Sequence, residues 1–402
     1  MTAQPVNPPD NPPVNTTLPL SLLPDLPRNA NVLIVRLRSI GDVVLTLPAL
    51  QALHDWRPDL RIHMLVEPLC APLVEGHPAI SEAIVLRKFW DTVRQLRRRR
   101  FAIAFNMHGG PTSAFLTRLS GAPVRVCWAQ RQFSYLYNAQ VPIHFPVAGR
   151  TEMHTAEHRL QQFLYTGLPE KPLPAAKVYV DAKVAERVRQ KLADKGLKPG
   201  EPYAVLRPGA SQGNKRWPVE RFAAVALWLR ESHGIASVVN LGPGDAQIDG
   251  DVRKHFAPID LARANSAANS ASGIIIDSLD LRGLIALLAG SCFFLGNDTG
   301  PTHIAAALGK KSVVIFGASD SKVWSPWKTE YRLVENPFPC RQCPHGKCES
   351  LAASQCIFYV TVDEVREACE ALLTEPGFDR ASGLKEKADP SLLHPSARKT
   401  DV

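Results

Sequence analysis

The chain has 402 residues, of which 45% are hydrophobic and 21% charged, and its formal net charge is +9. This length allows two domains of ordinary size, and the composition is typical of a soluble globular protein. No run approaches the ~20 apolar residues that span a bilayer. We find no basic region followed by an apolar core and a cleavage site, so we also expect no secretory signal.

The excess positive charge suits an anionic partner, which is nucleic acid, membrane phospholipid or a phosphorylated substrate. Aromatic residues do not interleave with the basic ones as a single-strand-binding surface needs, and no nucleic-acid module is recognisable. We therefore expect a phosphorylated substrate and a membrane surface, and no nucleic acid. The run LRRRR at 96–100 is typical of a solvated helix end that precedes a strand.

The first half of the chain alternates between strand and helix patterns. Residues 1–29 are rich in Pro and Asn, which predicts a disordered extension. A domain at 30–170 follows, with a helix at 43–53 and a last helix within 151–168. Strands separated by helix-length segments indicate a parallel sheet with helices on both faces. These strands are predicted at 31–35, 62–66, 84–86 and 102–106.

A second series begins after the Pro-rich connection PEKPLP. It predicts a domain at 171–374, with a helix at 218–232, and a flexible tail at 375–402. The predicted fold class is α/β, with two Rossmann-like domains that face each other across a cleft and bind ligands at the carboxyl ends of their strands. The strands of this domain are predicted at 203–206, 237–241, 274–276, 292–295 and 313–316.

The segment GNDTGPTHIAAALG, at 296–309, is the most informative stretch. It lies between two apolar runs and predicts a strand, a tight turn and a helix. A helix N-terminus offers unpaired N–H groups and partial positive charge to a phosphate, and a glycine lets a ligand approach the backbone. The alternative is a helix capped by Asp and Thr. The candidate ligand-binding residues are Asp298, Thr299, Gly300, Thr302 and His303.

Three further loops follow predicted strands. In RLRSIGD, at 36–42, Asp42 is either a helix cap or a base that takes a proton from a hydroxyl nucleophile. In LRPGASQGNKRWP, at 206–218, Lys215 and Arg216 are either solvated cations or the groups that neutralise a diphosphate leaving group without a metal. The third loop, LGPGD at 241–245, is a weak signal, because many strand-to-helix loops contain glycine.

Taken together, these segments resemble the ADP-heptose:lipopolysaccharide heptosyltransferases, which form glycosyltransferase family 9 and have the GT-B fold. The resemblance rests on IVRLRSIGDVVLTLPAL at 34–50, on RPGAS and KRWP within 207–218, and on GNDTGPTHIAAALGKKSVVIFG at 296–317. It extends over roughly residues 30–372, and the third motif is the most specific of the set.

The resemblance implies roles for individual positions. Asp42 matches the general base that deprotonates the acceptor hydroxyl, and Lys215 matches the lysine that contacts the donor diphosphate. The DTGxxH motif, which contributes Asp298, Thr299, Gly300 and His303, matches the donor-binding motif. The remaining donor-binding candidates are Ser211, Arg216 and Thr302, with Asp245 as the acid that would hold the ribose.

The family's chemistry is also implied by the resemblance. It predicts a single displacement that inverts the anomeric carbon, with no divalent metal. It also predicts an anionic, membrane-embedded lipid A–Kdo type acceptor and a peripheral location at the cytoplasmic face of the inner membrane. Neither the position of the added heptose nor the identity of the donor beyond a nucleotide sugar follows from the motifs.

Four cysteines fall close together with the spacing C-x2-C-x4-C-x7-C. This spacing fits a structural zinc or iron–sulfur site, although the second pair does not repeat the tight first pair. The alternative is a loop of reduced thiols. The residues concerned are Cys340, Cys343, Cys348 and Cys356.

We weighed three other functions against the sequence. A nicotinamide-dependent oxidoreductase needs G-x-G-x-x-G after the first strand, and RLRSIGD lacks it. A GT-B transferase for another nucleotide sugar is the nearest enzyme alternative. A non-catalytic nucleotide-sugar-binding protein would not need both Asp42 and Lys215.

Overall fold

A computed structural model describes residues 20–143, 145–264, 274–336, 355–376 and 378. The first part of the chain forms one sheet and its helices. Its elements are β1 Asn31–Val35, α1 Ile40–Val44, α2 Leu47–Trp56, β2 Arg61–Val66, β3 Glu82–Val85, α3 Phe89–Arg98, β4 Ile103–Asn106, α4 Pro111–Leu119, β5 Val124–Trp128, β6 Ala139–Val141 and α5 Thr155–Tyr165.

The second part forms another sheet. Its elements are α6 Ala182–Asp194, β7 Tyr203–Arg207, α7 Val219–His233, β8 Ala236–Leu241, α8 Ala246–Ala264, β9 Ile274–Ser278, α9 Leu281–Gly290, β10 Phe293–Asn297, α10 Gly300–Ala307, β11 Ser312–Phe316, α11 Ser321–Trp324, β12 Tyr331–Glu335, α12 Gln355–Phe358 and α13 Val362–Leu373.

Both sheets have six parallel strands and the same topology. Their strand orders are β3-β2-β1-β4-β5-β6 and β12-β11-β10-β7-β8-β9. In each sheet the first strand of the series lies beside the fourth, which is the order of dinucleotide-binding folds. The predicted fold class, two Rossmann-like domains, is confirmed.

The hydrophobic pattern of each strand explains why both faces of each sheet are covered. In β1, Val32 and Ile34 pack with one set of helices, whereas Leu33 and Val35 pack on the opposite face. Successive side chains of a strand point to opposite faces, so a strand buried on both sides is apolar at almost every position. The helices α2 and α5 cover the first face of this sheet, and α3 and α4 cover the second.

Two details near the N-terminus differ from our predictions. The predicted helix at 43–53 is two helices, because Thr46 begins a new helix with Pro48 in its first turn, a position that proline favours. The predicted disordered extension through residue 29 is too long. Leu23 is fully buried, and the Leu22 and Leu23 amides donate to the Thr166 carbonyl at 3.1 and 2.8 Å.

Residues of the first half of the chain also contact residues of the second half outside the sheets. His154, before α5, has its Nε2 2.8 Å from the Ser325 carbonyl oxygen and stacks on Trp327. Glu75 forms an ion pair with Arg282, with Oε1 and Nη2 2.6 Å apart. The segment between α5 and α6 contains the predicted domain boundary at residues 170 and 171. None of the described helices is long and apolar enough to cross a bilayer.

Candidate active site

The strand order places a crevice at the carboxyl edge of each sheet, where neighbouring strands connect in opposite directions. In the first sheet this point lies between β1 and β4, and in the second between β7 and β10. The loops that follow these four strands carry most of the residues predicted from the sequence. The two crevices face each other, because α1 of the first sheet packs on α10 of the second.

Asp42 lies in α1 and is held by two buried arginines. Its Oδ1 forms an ion pair with Arg36 and accepts from Arg159 Nη2 at 2.7 Å, and its Oδ2 accepts from the Ser39 hydroxyl at 3.0 Å. Ser39 is the N-cap residue of α1, so Asp42 lies within the first turn and does not cap the helix. Its side chain is 19% exposed. The carboxylate is therefore fixed in orientation while one edge remains open.

The charge state of Asp42 results from opposing effects. Burial raises the pKa of this carboxyl. The guanidinium groups of Arg36 and Arg159, together with the Ser39 hydroxyl, lower the pKa by more than burial raises it, so the pKa lies below its usual value. Asp42 is consequently ionised at neutral pH. An ionised carboxylate can accept a proton, although its weak basicity requires a hydroxyl that becomes acidic as it reacts.

An asparagine side chain joins the two loops of the second crevice. Asn297, at the end of β10, donates from Nδ2 to the Pro208 carbonyl at 2.8 Å, and its Oδ1 accepts from the Trp217 amide at 3.1 Å. These contacts hold the loop after β7 against the start of α10. In the same place Lys215 Nζ lies 2.9 Å from Asp298 Oδ2. Asp298 is 4% exposed and Lys215 25%, so the ammonium group is the accessible member of the pair.

Two glycines allow α1 and α10 to touch. A Cβ atom at Gly41 would lie 2.7 Å from Cδ2 of His303, and a Cβ at Gly300 would lie 2.7 Å from Cβ of Ile40. Real Cβ contacts are not this short, so any larger residue at either position would push the helices apart. The contact brings the acidic loop of the first sheet to the DTG turn of the second.

His303 lies beneath this contact and is buried. Burial lowers the pKa of its imidazole to about 4; the carboxylates of Asp298 and Asp42 oppose this shift, and Lys215 adds to it. The Nδ1 atom has no hydrogen-bond partner within the described part of the chain. A neutral histidine in this place can accept or donate one further hydrogen bond.

The other predicted residues fall into separate places. Thr302 is fully buried and donates to the Asn297 carbonyl at 2.7 Å, so it shapes the turn. Asp245 is buried, forms an ion pair with Arg207 and accepts from the Gly242 amide at 2.6 Å. Both carboxylate oxygens lie close to Gly209, and Oδ2 lies close to Gly242 as well. The contact of Asp245 with a ribose stays a prediction.

The loop after β7 contains the two remaining donor-binding candidates. Ser211 is exposed on it, and Arg216 donates from Nε to the Ala210 carbonyl at 2.7 Å, a bond that holds the loop closed. Asp42, Lys215, Asp298, Thr299, Gly300 and His303 are brought together at the meeting of the two crevices.

The cysteine cluster lies mostly outside the described residues. Cys340, Cys343 and Cys348 belong to the part of the chain that the structure does not describe, and Cys356 is buried in α12. The zinc or iron–sulfur site therefore stays a prediction. The thiols of Cys70 and Cys127 are free and buried, and burial raises their pKa values to about 11 and about 12.

Three arginines that shape the site were not predicted. Arg36 occupies the RLRSIGD loop beside Asp42, and only its position in that motif signals a role. Arg159 is 117 residues away from Asp42 in the chain, and nothing in its surrounding sequence marks it. Arg207 ends β7, next to the loop that contains Lys215, and forms an ion pair with Asp245.

Two Rossmann-like sheets whose carboxyl-edge loops face each other have the GT-B architecture. The chain belongs to glycosyltransferase family 9 (heptosyltransferase), whose model matches residues 89–353. It is therefore a glycosyltransferase enzyme.

Two relatives and one solved structure illustrate the similarity. The lipopolysaccharide heptosyltransferase 3 of Escherichia coli is 26% identical over 308 residues, which cover 72% of this chain and 84% of that protein. The lipopolysaccharide heptosyltransferase 1 of Pseudomonas aeruginosa is 27% identical over 337 residues, 79% and 87% of the two chains. The structure of E. coli ADP-heptose LPS heptosyltransferase II has a TM-score of 0.68 at 20% identity, and the match covers 85% of this chain and 98% of that one.

Burial of His303 makes stability depend on pH. The folded protein takes up the proton only near pH 4, whereas the unfolded chain takes it up near pH 6.5, so the free energy of unfolding falls as the pH drops between these values. We expect His303→Gln to remove up to about 2 kcal/mol of the difference between about pH 8 and about pH 5. Urea unfolding at the two pH values measures it.

His77 offers a matched variant, because burial also lowers its pKa to about 4 and it lies against Tyr179, away from the two crevices. His77→Gln should flatten the pH dependence by a similar amount while nucleotide binding stays unchanged. An equally steep pH dependence in His303→Gln would contradict the neutral, buried state of His303.

Proposed function

We propose that this protein transfers a heptosyl group from ADP-heptose to a sugar hydroxyl of an anionic, lipid-linked acceptor of the lipopolysaccharide inner core, of the lipid A–Kdo type. The observation that carries the proposal is the contact of α1, which carries Asp42, with α10, which begins beside the Lys215–Asp298 pair. The names of the relatives and of the structural neighbour support heptose as the sugar and ADP as its carrier.

Asp42 is the proposed general base for the acceptor hydroxyl. Its Oδ1 is occupied by Arg36 and Arg159, which leaves the open side of Oδ2 for a substrate. The two arginines position the carboxylate and keep it ionised, because they lower its pKa. As the hydroxyl attacks the anomeric carbon its proton becomes acidic, so that a weak base suffices.

The second crevice is the proposed site of the departing ADP. Lys215 offers an accessible ammonium group held in place by Asp298, and the start of α10, at Gly300, offers a backbone N–H group with partial positive charge. Arg216 lies in the same loop as Lys215. These groups stabilise the developing diphosphate charge, which is the task that a metal performs in other transferases.

The rest of the proposed chemistry follows from this arrangement. A base on one domain and a leaving-group site on the other favour a single displacement with inversion, and we infer that no divalent metal is required. His303 contacts α1 from within α10, so it could position the donor turn against Asp42. A GT-B transferase that uses another nucleotide sugar remains the alternative, and the peripheral location at the cytoplasmic membrane face belongs to the same proposal.

The Asp42→Asn variant tests the base. Asparagine fills the same space but cannot take up the proton, so we expect transfer to fall by ~10²–10⁴-fold while ADP binding persists. The rate of ADP release from ADP-heptose with a lipid-linked acceptor gives the first quantity, and a thermal shift with ADP gives the second.

Loss of the Asp42 carboxylate also leaves two buried guanidinium groups unpaired, so the melting temperature has to be measured together with the rate. Asp59→Asn is the matched control: Asp59 is paired with Arg57 at 2.8 Å and precedes β2, at the opposite edge of the sheet. Full activity in Asp42→Asn would leave Asp42 with a structural role only.

Lys215→Ala tests the donor site. Removing the ammonium group deletes a charge-assisted contact to the diphosphate, so we expect the Kd for ADP to rise by about 10–100-fold. Calorimetric titration with ADP measures the change. The control is Lys183→Ala, an exposed lysine of α6, and unaltered ADP affinity in Lys215→Ala would remove this residue from the donor site.

A further inference from the structure

One face of α3 combines an exposed tryptophan with three arginines. Trp90 is 64% exposed, and Arg94, Arg97 and Arg98 are exposed as well. At 100° per residue these four positions fall within about 100° of the helix circumference. Leu96 lies on the opposite side of the helix, Val93 borders the stripe, and both are buried against the sheet. We call the exposed stripe the α3 face.

The charge around this face is strongly positive. The segment from Arg87 through Arg100 contains seven cationic residues and a single acid, Asp91. The acid is 3.1 Å from Arg94, and Arg99 turns inward to Glu82. The remaining cations of this segment are exposed, so the α3 face has a net positive charge that no nearby acid cancels among the described residues.

A second apolar feature lies beside it. Helix α4 packs next to α3, and Arg97 Nε donates to the Leu119 carbonyl at 3.1 Å. Phe115 on α4 is 41% exposed and packs against Phe133, which in turn contacts Tyr135, itself 75% exposed. We call Phe115, Phe133 and Tyr135 the α4 patch.

The topology places these aromatic residues near the catalytic crevice. A helix that connects two parallel strands runs back along the sheet, so its N-terminus lies at the carboxyl edge of the strands. Trp90 is the second residue of α3, and Phe115, in the middle of α4, packs on Phe133, which follows the carboxyl end of β5. Trp90 and the α4 patch therefore lie toward the edge that carries Asp42, and the arginines extend from Trp90 along α3.

We propose that the α3 face and the α4 patch dock the protein on a bilayer that contains anionic phospholipid, with Trp90 and Tyr135 at the headgroup level and the arginines against the lipid charge. Tryptophan and tyrosine favour the membrane interface because one end of the ring system is apolar and the other polar. Each cation near an anionic leaflet adds to the attraction. The inference rests on the proposed function in one respect: docking in this orientation brings Asp42 to a lipid-linked acceptor.

The aromatic geometry favours a bilayer over single-stranded nucleic acid. Base stacking requires separate rings with free faces. Here Trp90 packs edge-on with Phe89 at 5.2 Å, and Phe133 packs against both Phe115 and Tyr135. The rings thus form two packed apolar clusters, one on each helix, which suit insertion among lipid headgroups.

Vesicle flotation with the full chain tests the proposal. The probes are vesicles of phosphatidylcholine alone and vesicles of phosphatidylcholine with phosphatidylglycerol, and neither contains an acceptor. We expect binding to the anionic vesicles only, with loss at high salt. Replacing Arg94, Arg97 and Arg98 together by Ala should lower the partition coefficient by about 10²-fold, and Trp90→Ala by about tenfold.

The matched control replaces Lys183, Arg187 and Arg189, three exposed cations of α6, by Ala and should leave vesicle binding unchanged. Thermal shifts with ADP should be equal for all variants, because none of these residues lies in the two crevices. Transfer to a water-soluble, deacylated acceptor should likewise stay constant, while transfer to an acceptor embedded in anionic vesicles falls with the partition coefficient.

The results separate the two proposals. Equal vesicle binding by the wild type and the α3 variants would overturn the docking surface, as would binding to a single-stranded RNA oligonucleotide with no binding to vesicles. Loss of vesicle binding in the α3 variants together with no response of any variant to ADP would support the docking surface and contradict the proposed donor.

Discussion

The site depends on the contact between α1 and α10 at Gly41 and Gly300. Each glycine faces the other helix so closely that a Cβ would overlap a side chain across the interface. Two crevices on separate sheets can form one site only if their loops meet, and this contact makes them meet. The acid of the first sheet and the lysine of the second are fixed relative to each other because both follow strands that are rigid and buried.

The charged side chains on both sides of this contact form ion pairs within the protein itself. Asp42 is balanced by Arg36 and Arg159, and Lys215 by Asp298. A buried pair costs desolvation energy, and it is retained where fixed orientation matters more than stability. In the proposed reaction the first group of charges orients a base, and the second presents one accessible cation to a leaving diphosphate. Arg159 comes from α5, so the helix that ends the first half of the chain also holds the loop that carries Asp42.

The sequence predicted those parts of the molecule in which local pattern determines structure. The strands β1 and β10, at the centres of the two sheets, are apolar at most positions, and the SIGD loop and the DTG turn follow them. The strands β5, β6 and β12 were not predicted, because β6 has only three residues and because β5 and β12 include charged side chains. Arg159 was not predictable either, since its role arises only when α5 folds back onto the loop after β1.

The surroundings of Asp245 illustrate what a motif leaves open. The resemblance made Asp245 the candidate for a ribose contact, which stays a prediction, and the fold adds that this acid is paired with Arg207 from the neighbouring strand and lies against Gly209 and Gly242. Such a pairing depends on which strands are adjacent, and a single sequence does not contain that information in readable form.

The most direct test of the account is the product of a complete reaction. The protein, ADP-heptose and a lipid A–Kdo type acceptor are incubated with EDTA, and the acceptor is analysed by mass spectrometry and its new linkage by NMR. We predict the addition of one heptose with inverted anomeric configuration, equimolar release of ADP and no effect of EDTA. No transfer from ADP-heptose, with transfer from a UDP-sugar under the same conditions, would contradict the proposed donor and keep only the fold and the family.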